Sequence, residues 1–197
     1  MGTVPHQVVL PLLAPTIEWE ALRLRALRAS DAPRLFDYLG NTVVIEHTSY
    51  PVQSLNSVER LIANAQQGYA ERTSCKWALA MVSDDGIIGT CGFNNWALEH
   101  AAAELAYDLA PQHWGQGLMT QAVEAALGWA FETAGFNRVH AVVMASNLRS
   151  LRLLDRCGFR QEGLLRSYRI ARSVPADFWM YSLLSAEWAG VPPPQHP

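Results

Sequence analysis

The segment Pro111–Ala122 (PQHWGQGLMTQA) places two glycines at the start of a helix-forming stretch. Gly115 and Gly117 stand where an apolar, strand-like run ends and a helical pattern begins. Glycine raises the entropy cost of ordering a helix start, so two of them there need a reason. Either the turn requires a positive φ, or another molecule has to approach the bare main chain. Both readings are open at this point.

The three cysteines are Cys75, Cys91 and Cys157, and none of them has a CxxC or histidine-paired spacing. A disulfide framework or a zinc site is therefore not expected, and a reducing compartment, the cytoplasm, is the simplest setting. The net charge of −3 gives no reason to expect nucleic acid as a partner. No apolar run is long enough to span a bilayer, so no membrane association is expected.

The chain length of 197 residues fits one domain with a full core. Half of the residues are apolar and 17% are charged, which is typical of a globular protein. We expect an irregular extension at 1–19, which lacks the basic start of a signal peptide, a domain at 20–188, and a Pro-rich tail at 189–197.

The elements that must position the glycine segment follow from hydrophobic periodicity. Strands are predicted at 22–27, 76–82, 87–94, 103–109, 139–145, 161–170 and 178–184. Helices are predicted at 32–39, 57–71, 117–134 and 148–156, the second opened by a capping box of Asn56 and Glu59. Asp85-Gly86 predicts a hairpin between the second and third strands. The order indicates a mixed α/β (α+β) domain of about seven strands and about four helices.

The glycine segment then resembles a family signature. Gln112-His-Trp-Gly115-Gln-Gly117 is similar to the Q/R-x-x-G-x-G/A motif of the GNAT superfamily of N-acetyltransferases. Asn147-Leu-Arg-Ser150 with Gly158-Phe159 resembles the family's Asn-x-x-Ser…Leu-Gly-Phe segment. Ala103-Glu104-Leu-Ala-Tyr107 and the C-terminal pattern from Gly163 to Trp188 resemble the RimJ/RimL branch. The resemblance covers roughly Glu20 to Trp188 and implies a mostly antiparallel sheet with splayed middle strands.

The resemblance implies acetyl-CoA as the donor. A helix N-terminus offers unpaired N–H groups to phosphate oxygens, so the loop is expected to hold the pyrophosphate. A backbone N–H near Asp108–Leu109 is expected to polarise the thioester carbonyl. Asn147 is expected to cap its helix and to contact the cofactor, although a cap alone is an equal alternative. The cofactor-binding set is Asp108, Leu109, Gln112, His113, Trp114, Gly115, Gln116, Gly117, Thr120, Asn147 and Ser150.

The resemblance also suggests groups that move protons. Glu104 is the preferred base for the incoming ammonium, directly or through water, and a solvent-facing carboxylate is the alternative. His47, His100 and His140 are weaker candidates. Ser150 is the preferred proton donor to the leaving thiolate, with Tyr107 as a more distant one, because Leu154 stands where many relatives carry a tyrosine. Val142 or Val143 stands where some relatives carry a glutamate, and Cys157 is expected to pack in the core.

The acceptor site is expected between the first two helices and the last two strands. Its candidate residues are Glu46, His47, Tyr50, Trp96, Arg166, Tyr168 and Asp177, each of which could equally serve packing or ion pairing. The leading hypothesis is an N-acetyltransferase in which a primary amine, of a protein N-terminus or a small molecule, attacks acetyl-CoA directly in a ternary complex. The alternatives are a non-catalytic acyl-CoA-binding module and a vestigial structural protein. A Trp-rich surface is expected to favour a homodimer.

Overall fold

Eight strands form one sheet in the order β1-β2-β3-β4-β5-β6-β8-β7 in the computed structural model, which describes residues 8–46, 48 and 51–188. The strands are β1 Ile17–Trp19, β2 Leu22–Ala26, β3 Cys75–Met81, β4 Ile87–Ala97, β5 Ala102–Leu109, β6 Arg138–Met144, β7 Arg160–Ala171 and β8 Val174–Leu184. Neighbouring strands are antiparallel except β5 and β6, which are parallel. The predicted mixed, mostly antiparallel sheet is confirmed.

The strand that sequence reasoning missed is β1. It pairs with β2 through a turn at Glu20, whose φ is +46°, and it lies inside the segment assigned to the N-terminal extension. Three residues are too few to show an alternating pattern, so periodicity cannot find such a strand. The chain before it is also held in place, because the Trp77 indole donates to the carbonyl of Pro15 at 2.9 Å.

The helices are α1 Ala32–Leu39, α2 Thr42–Ile45, α3 Leu55–Ala70, α4 Leu118–Gly128 and α5 Leu148–Arg156. Four were expected, and the single turn α2 is the additional one. The capping box of α3 is formed by Ser54 and Ser57, so the prediction of Asn56 and Glu59 was wrong. The predicted helix 117–134 is in fact α4 followed by a π-helical turn, Trp129–Thr133, and Gly135 with φ +79° follows it.

Two apolar clusters cover the two faces of the sheet. The larger one packs α4 and the aromatic rings of Trp77, Phe93 and Trp129 against the central strands. The smaller one packs α1 and α3 on the opposite face, around Leu35 and Ala78. Burial on both faces stabilises the central strands and fixes where their ends lie.

The two middle strands separate along their length, as predicted. The parallel register of β5 and β6 runs from Ala102↔Arg138 to Glu104↔His140 and stops there, although both strands continue. The Ala101 carbonyl, just before β5, accepts from the Arg138 N–H of β6, and the Leu109 carbonyl accepts from the Trp114 indole. Since main-chain groups alternate in direction along a strand, every second residue of β5 directs its N–H and carbonyl towards β6. The rest of β5 therefore borders a gap in the sheet.

Candidate functional site

The glycine turn before α4 answers the question that its sequence raises. Gly115 and Gly117 have φ values of +75° and +77°, a region that L side chains rarely adopt. A Cβ built on either glycine would meet no atom within 4 Å. The turn thus requires positive φ, and the space in front of its main chain is open. The first of the two reasons is therefore confirmed, and the open space leaves room for the second.

A cavity of about 360 Å³, here called the loop cavity, lies between this turn, the end of β5 and α5. It brings together most of the predicted cofactor-binding residues: Asp108, Leu109, His113, Trp114, Gly115, Gly117, Thr120, Asn147 and Ser150. Gln112 and Gln116 are exposed and are not among the lining residues that the structure describes; the Gln116 amide donates to the Gln112 carbonyl. An open helix N-terminus and positive-φ glycines fit a phosphate group.

One face of α5 carries three arginines that sequence reasoning missed. Arg149, Arg152 and Arg156 all line the loop cavity, opposite the glycine turn. The Arg149 guanidinium lies 4.4 Å from the centre of the Trp114 ring, a cation–π contact. No described carboxylate forms an ion pair with any of the three. Their i, i+3, i+7 spacing on a predicted helix was the available signal.

The end of β5 is fixed by a partly buried hydrogen-bond cluster on Asp108. Its carboxylate accepts from the Thr90 hydroxyl at 2.6 Å, from the Thr90 N–H at 3.1 Å and from the Tyr38 hydroxyl of α1. Burial, together with the Asp108 charge, raises the pKa of Tyr38 well above its ordinary value. The Asp108 side chain therefore anchors the strand, which leaves the neighbouring main chain to face the gap.

A second cavity of about 670 Å³, here called the wide cavity, opens between β4, β5 and β6 beside β7 and β8. It shares Thr48, Tyr107, Asn147 and Ser150 with the loop cavity. The two cavities therefore meet at these side chains. Two ligands, one in each cavity, would therefore meet beside these side chains.

Three of the shared residues belong to the predicted site. The Asn147 side chain accepts from the Ser150 N–H at 3.1 Å and caps α5, as predicted. The Tyr107 hydroxyl donates to the Ser150 carbonyl at 3.4 Å. Burial raises the pKa of Tyr107 above its ordinary value of 10, so the phenol keeps its proton at neutral pH. The junction thus holds an uncharged phenol and a hydroxyl side by side.

Glu104 lies in the wall of the wide cavity and is only 8% exposed, so its solvent-facing alternative is wrong. One carboxylate oxygen accepts from the Asn95 amide at 2.6 Å and the other from Arg169 of β7 at 3.1 Å. Arg169 is a second residue that sequence reasoning missed, and 65 positions separate it from Glu104. No periodicity or motif links two residues so far apart.

The other titratable candidates lie away from the junction. His100 is exposed beside Glu99, and half-buried His140 lies across from Glu104 on β6, where burial lowers its pKa. Neither is among the described lining residues of the two cavities. Cys157 packs in the core as expected, and burial raises its pKa to about 12.

The predicted acceptor residues are spread over several places. Trp96 lines the wide cavity, whereas Glu46 lies in a separate groove beside α2. Arg166, Tyr168 and Asp177 border a shallow depression on the β7–β8 hairpin. His47 and Tyr50 lie outside the described residues. The structure therefore places one of the five described candidates in the wide cavity.

Comparison with known proteins identifies the family to which the chain belongs. Residues 21–160 match the family model of the acetyltransferase (GNAT) domain. The chain belongs to this family and is an acetyltransferase, and its resemblance to the RimJ/RimL branch is confirmed.

Individual relatives support the same assignment. The chain is 33% identical over 176 residues to a Bacillus licheniformis protein named uncharacterized N-acetyltransferase p20, covering 89% of this chain and 99% of that one. The solved structure of RimL, a ribosomal L7/L12 alpha-N-protein acetyltransferase in complex with coenzyme A, superposes with a TM-score of 0.79 at 20% identity, over 86% and 98% of the chains. Spermidine N-acetyltransferase from Vibrio cholerae, in complex with CoA and spermine, gives 0.75 at 20% identity, over 85% and 97%. The GNAT fold is thereby confirmed.

Two further observations concern the partners that the composition suggested. Across the described part of the chain, no helix is both long and apolar enough to cross a membrane. All seven tryptophans are buried or half-buried, so none of them is a fully exposed residue of the Trp-rich surface on which the expectation of a dimer rested.

Proposed function

We propose that this enzyme transfers the acetyl group of acetyl-CoA to a primary amine by direct attack in a ternary complex. The observation that carries the proposal is the meeting of two cavities at Tyr107, Asn147 and Ser150. The loop cavity takes the donor and the wide cavity takes the amine. Direct attack then needs no covalent enzyme intermediate, in line with the protonated, core-packed thiol of Cys157.

The donor side fits a molecule with several phosphates. The Cβ positions of Gly115 and Gly117 face open space at the positive end of α4, so the pyrophosphate would approach the main-chain N–H groups there. Across the cavity, the arginine face of α5 offers guanidinium groups with no carboxylate partner among the described residues. Guanidinium groups bind phosphate oxygens through paired N–H donors. When bound, acetyl-CoA supplies the reactive thioester.

The main chain of β5 supplies the electrostatic stabilisation. The Ala110 N–H donates to the Ile88 carbonyl of β4, whereas the Leu109 carbonyl points away from β4. Since the N–H and the carbonyl of one strand residue point to the same side, the Leu109 N–H also points to the gap. We assign to it the stabilisation of the negative charge that develops on the thioester oxygen. Removal of one such donor typically costs about a hundredfold in rate.

Glu104 acts on the acceptor side. Its buried carboxylate is the acidic side chain among the described lining residues of the wide cavity. We propose that it accepts the proton of the incoming ammonium through a chain of water molecules, because Glu104 lies about 10 Å along β5 from Tyr107, where the amine attacks. The hydrogen bonds from Asn95 and Arg169 fix the position of the carboxylate.

Tyr107 donates a proton to the leaving thiolate and regains one from the amine nitrogen, which loses its second proton as the amide forms. A phenol is a stronger acid than a serine hydroxyl, and burial keeps it protonated below pH 10. Ser150 lies beside it and provides a hydrogen bond to the sulfur. We therefore propose Tyr107 as the donor and Ser150 as its partner, which reverses the order that the family resemblance suggested.

An acceptor screen that follows thiol release from acetyl-CoA tests the proposal. Primary amines, both N-terminal peptides and small molecules, should give turnover with the wild type. Glu104→Gln should bind CoA with unchanged affinity but lose about a hundredfold or more in turnover. CoA binding without turnover for any amine would instead support the acyl-CoA-binding module, and absence of CoA binding would support a structural role.

The acceptor class and the cellular setting complete the proposal. Relatives are named for ribosomal proteins and for spermidine, so both protein and small-molecule acceptors belong in the screen. Three buried free cysteines agree with a reducing cytoplasm. A homodimer remains a prediction, which sedimentation at several concentrations would test.

A further inference from the structure

Arg169 projects its guanidinium into the wide cavity from β7. Its side chain is 36% exposed, and its Nη2 group is the donor to Glu104. The guanidinium also lies 5.2 Å from the centre of the Tyr168 ring and 5.5 Å from that of Phe178. Because a guanidinium carries five N–H donors, this arrangement holds the group in place and leaves donors directed to the cavity.

A local distortion of β7 positions this arginine. The register with β8 shifts between Leu165 and Arg169, and Ser167 inside this bulge has a φ of +50°. The Asp177 carboxylate accepts from the Ser167 N–H at 2.7 Å and so stabilises the strained turn. Bulges next to functional sites commonly redirect a side chain. Asp177 and Tyr168 thus support Arg169 from outside the cavity.

The charges in the wide cavity are balanced. Among its described lining residues, Glu104 and Arg169 are the charged ones, and the others are amides, hydroxyls and apolar groups such as Asn94, Thr73 and Phe178. A polyamine carries several positive charges, but the described wall of the wide cavity offers it one carboxylate, Glu104, which already forms an ion pair with Arg169. An acceptor with one ammonium and one anionic group would match the pair.

The spacing along β5 limits the shape of such an acceptor. Glu104, the partner of Arg169, precedes Tyr107 by three residues, and their Cα atoms are therefore about 10 Å apart along the strand. An amine at the junction and an anion on Arg169 are therefore separated by several bonds. The carboxylate of an α-amino acid lies too close to its own nitrogen to reach both positions.

We propose that Arg169 selects acceptors that carry a carboxylate several bonds from the reactive amine. Two kinds of molecule have an amine and a carboxylate at this separation. One is a free amino acid with an acidic side chain, such as glutamate, and the other is a peptide with an acidic residue near its N-terminus. The proposal rests on the acetyltransferase function proposed above and names the acceptor class of the same site. Arg169 is then a specificity-determining residue that contacts the acceptor, in addition to holding the Glu104 carboxylate in place.

Paired acceptors test this inference. Glutamate is compared with glutamine, and peptides beginning Ala-Glu or Ala-Asp are compared with Ala-Gln and Ala-Asn, in the wild type, Arg169→Ala and Arg169→Lys. We expect kcat/KM to favour the acidic member of at least one pair by about tenfold or more, the value of one charged hydrogen bond. Arg169→Ala should abolish that preference through KM, and Arg169→Lys should restore part of it. Which pair responds distinguishes the free amino acid from the peptide.

The matched control is Arg160→Ala, which removes an exposed arginine of the same strand that pairs with Glu187. It should leave the preference unchanged. An Arg169→Ala enzyme that loses activity equally on acidic and neutral acceptors would overturn the inference and leave the acetyltransferase function intact. A wild type that turns over amines with no acidic preference would overturn it as well, whereas no turnover with any amine would reject the proposed function itself.

Discussion

The assignment of the proton donor depends on two adjacent side chains, Tyr107 and Ser150. Tyr107→Phe removes only the hydroxyl, so we expect kcat to fall by about tenfold to a hundredfold while the KM for acetyl-CoA stays the same. Because burial raises the pKa of Tyr107 above 10, the wild type should show no alkaline loss of kcat from this group below pH 10. Steady-state kinetics across pH measures both.

A matched variant separates the role of the phenol from its packing. Tyr181→Phe removes a hydroxyl that donates to Gln161 outside both cavities, and it should leave kcat unchanged. If Tyr107→Phe retains full kcat while Ser150→Ala loses it, the proton comes from Ser150, as the family resemblance first suggested.

The elements that hold the donor are α4 and α5, and the start of α4 depends on glycine. Gly117→Ala forces an L side chain into a left-handed conformation, which costs roughly 1–2 kcal/mol. The helix start should shift to relieve this strain, so we expect the Kd for CoA to rise about tenfold. Calorimetric titration with CoA measures the affinity, and urea unfolding measures the stability.

Gly128→Ala is the control for that change. Gly128 lies in the same helix, has no positive φ and also has open space around its Cβ position. Alanine there should leave CoA binding unchanged and stabilise the protein by roughly 0.5–1 kcal/mol. Equal losses of CoA affinity in the two variants would contradict a specific role for the turn.

The arginine face of α5 should contribute charge to the same site. Arg152→Ala removes one guanidinium from the loop cavity, and we expect the Kd for CoA to rise about tenfold, more at low than at high salt. Arg60→Ala on the exposed side of α3 is the control and should have no effect. An Arg152→Ala loss that is independent of salt would argue against phosphate binding.

Sequence reasoning succeeded where the signal is local. The glycine turn, the Asn147 cap and the strands β2 to β8 each follow from neighbouring residues, and all were predicted. The strand β1 and the helix α2 are too short for periodicity, and the π-helical turn after α4 keeps the apolar spacing of a helix. Arg169 was missed because its partner Glu104 is brought to it only by the folded sheet.

At the scale of the whole molecule, the sheet both divides and connects the site. The strands β2 to β5 carry the anchors of the donor side, such as Thr90 for Asp108, and the wall of the wide cavity is divided between β4 and β5 on one side and β6 to β8 on the other. The two halves are joined by the short parallel register at Ala102–Glu104. The gap that forms the site exists because this register stops, so the stability of the half formed by β6 to β8 is a condition for function.

A polar cluster that joins β6, β7 and β8 should make this stability depend on pH. The hydrogen bond from Arg138, followed by that from Ser182, lowers the pKa of Glu162 from 4.5 to about 2. A carboxylate with a lowered folded-state pKa stabilises the fold above its unfolded value, and this contribution is lost as the pH falls from 4.5 to about 2. Because the side chain is 41% exposed, screening limits the contribution to about 1 kcal/mol.

Glu162→Gln should therefore lower Tm at pH 7 by about 2–4 °C, and the difference from the wild type should shrink between pH 5 and pH 3. Calorimetric scans at a series of pH values measure this. Glu99→Gln, a change at a carboxylate that is 72% exposed and lies 3.7 Å from His100, should leave Tm unchanged at every pH. A Glu162→Gln deficit that stays constant down to pH 3 would mean that the cluster stabilises the β6–β7–β8 half through packing, with no contribution from the ionised carboxylate.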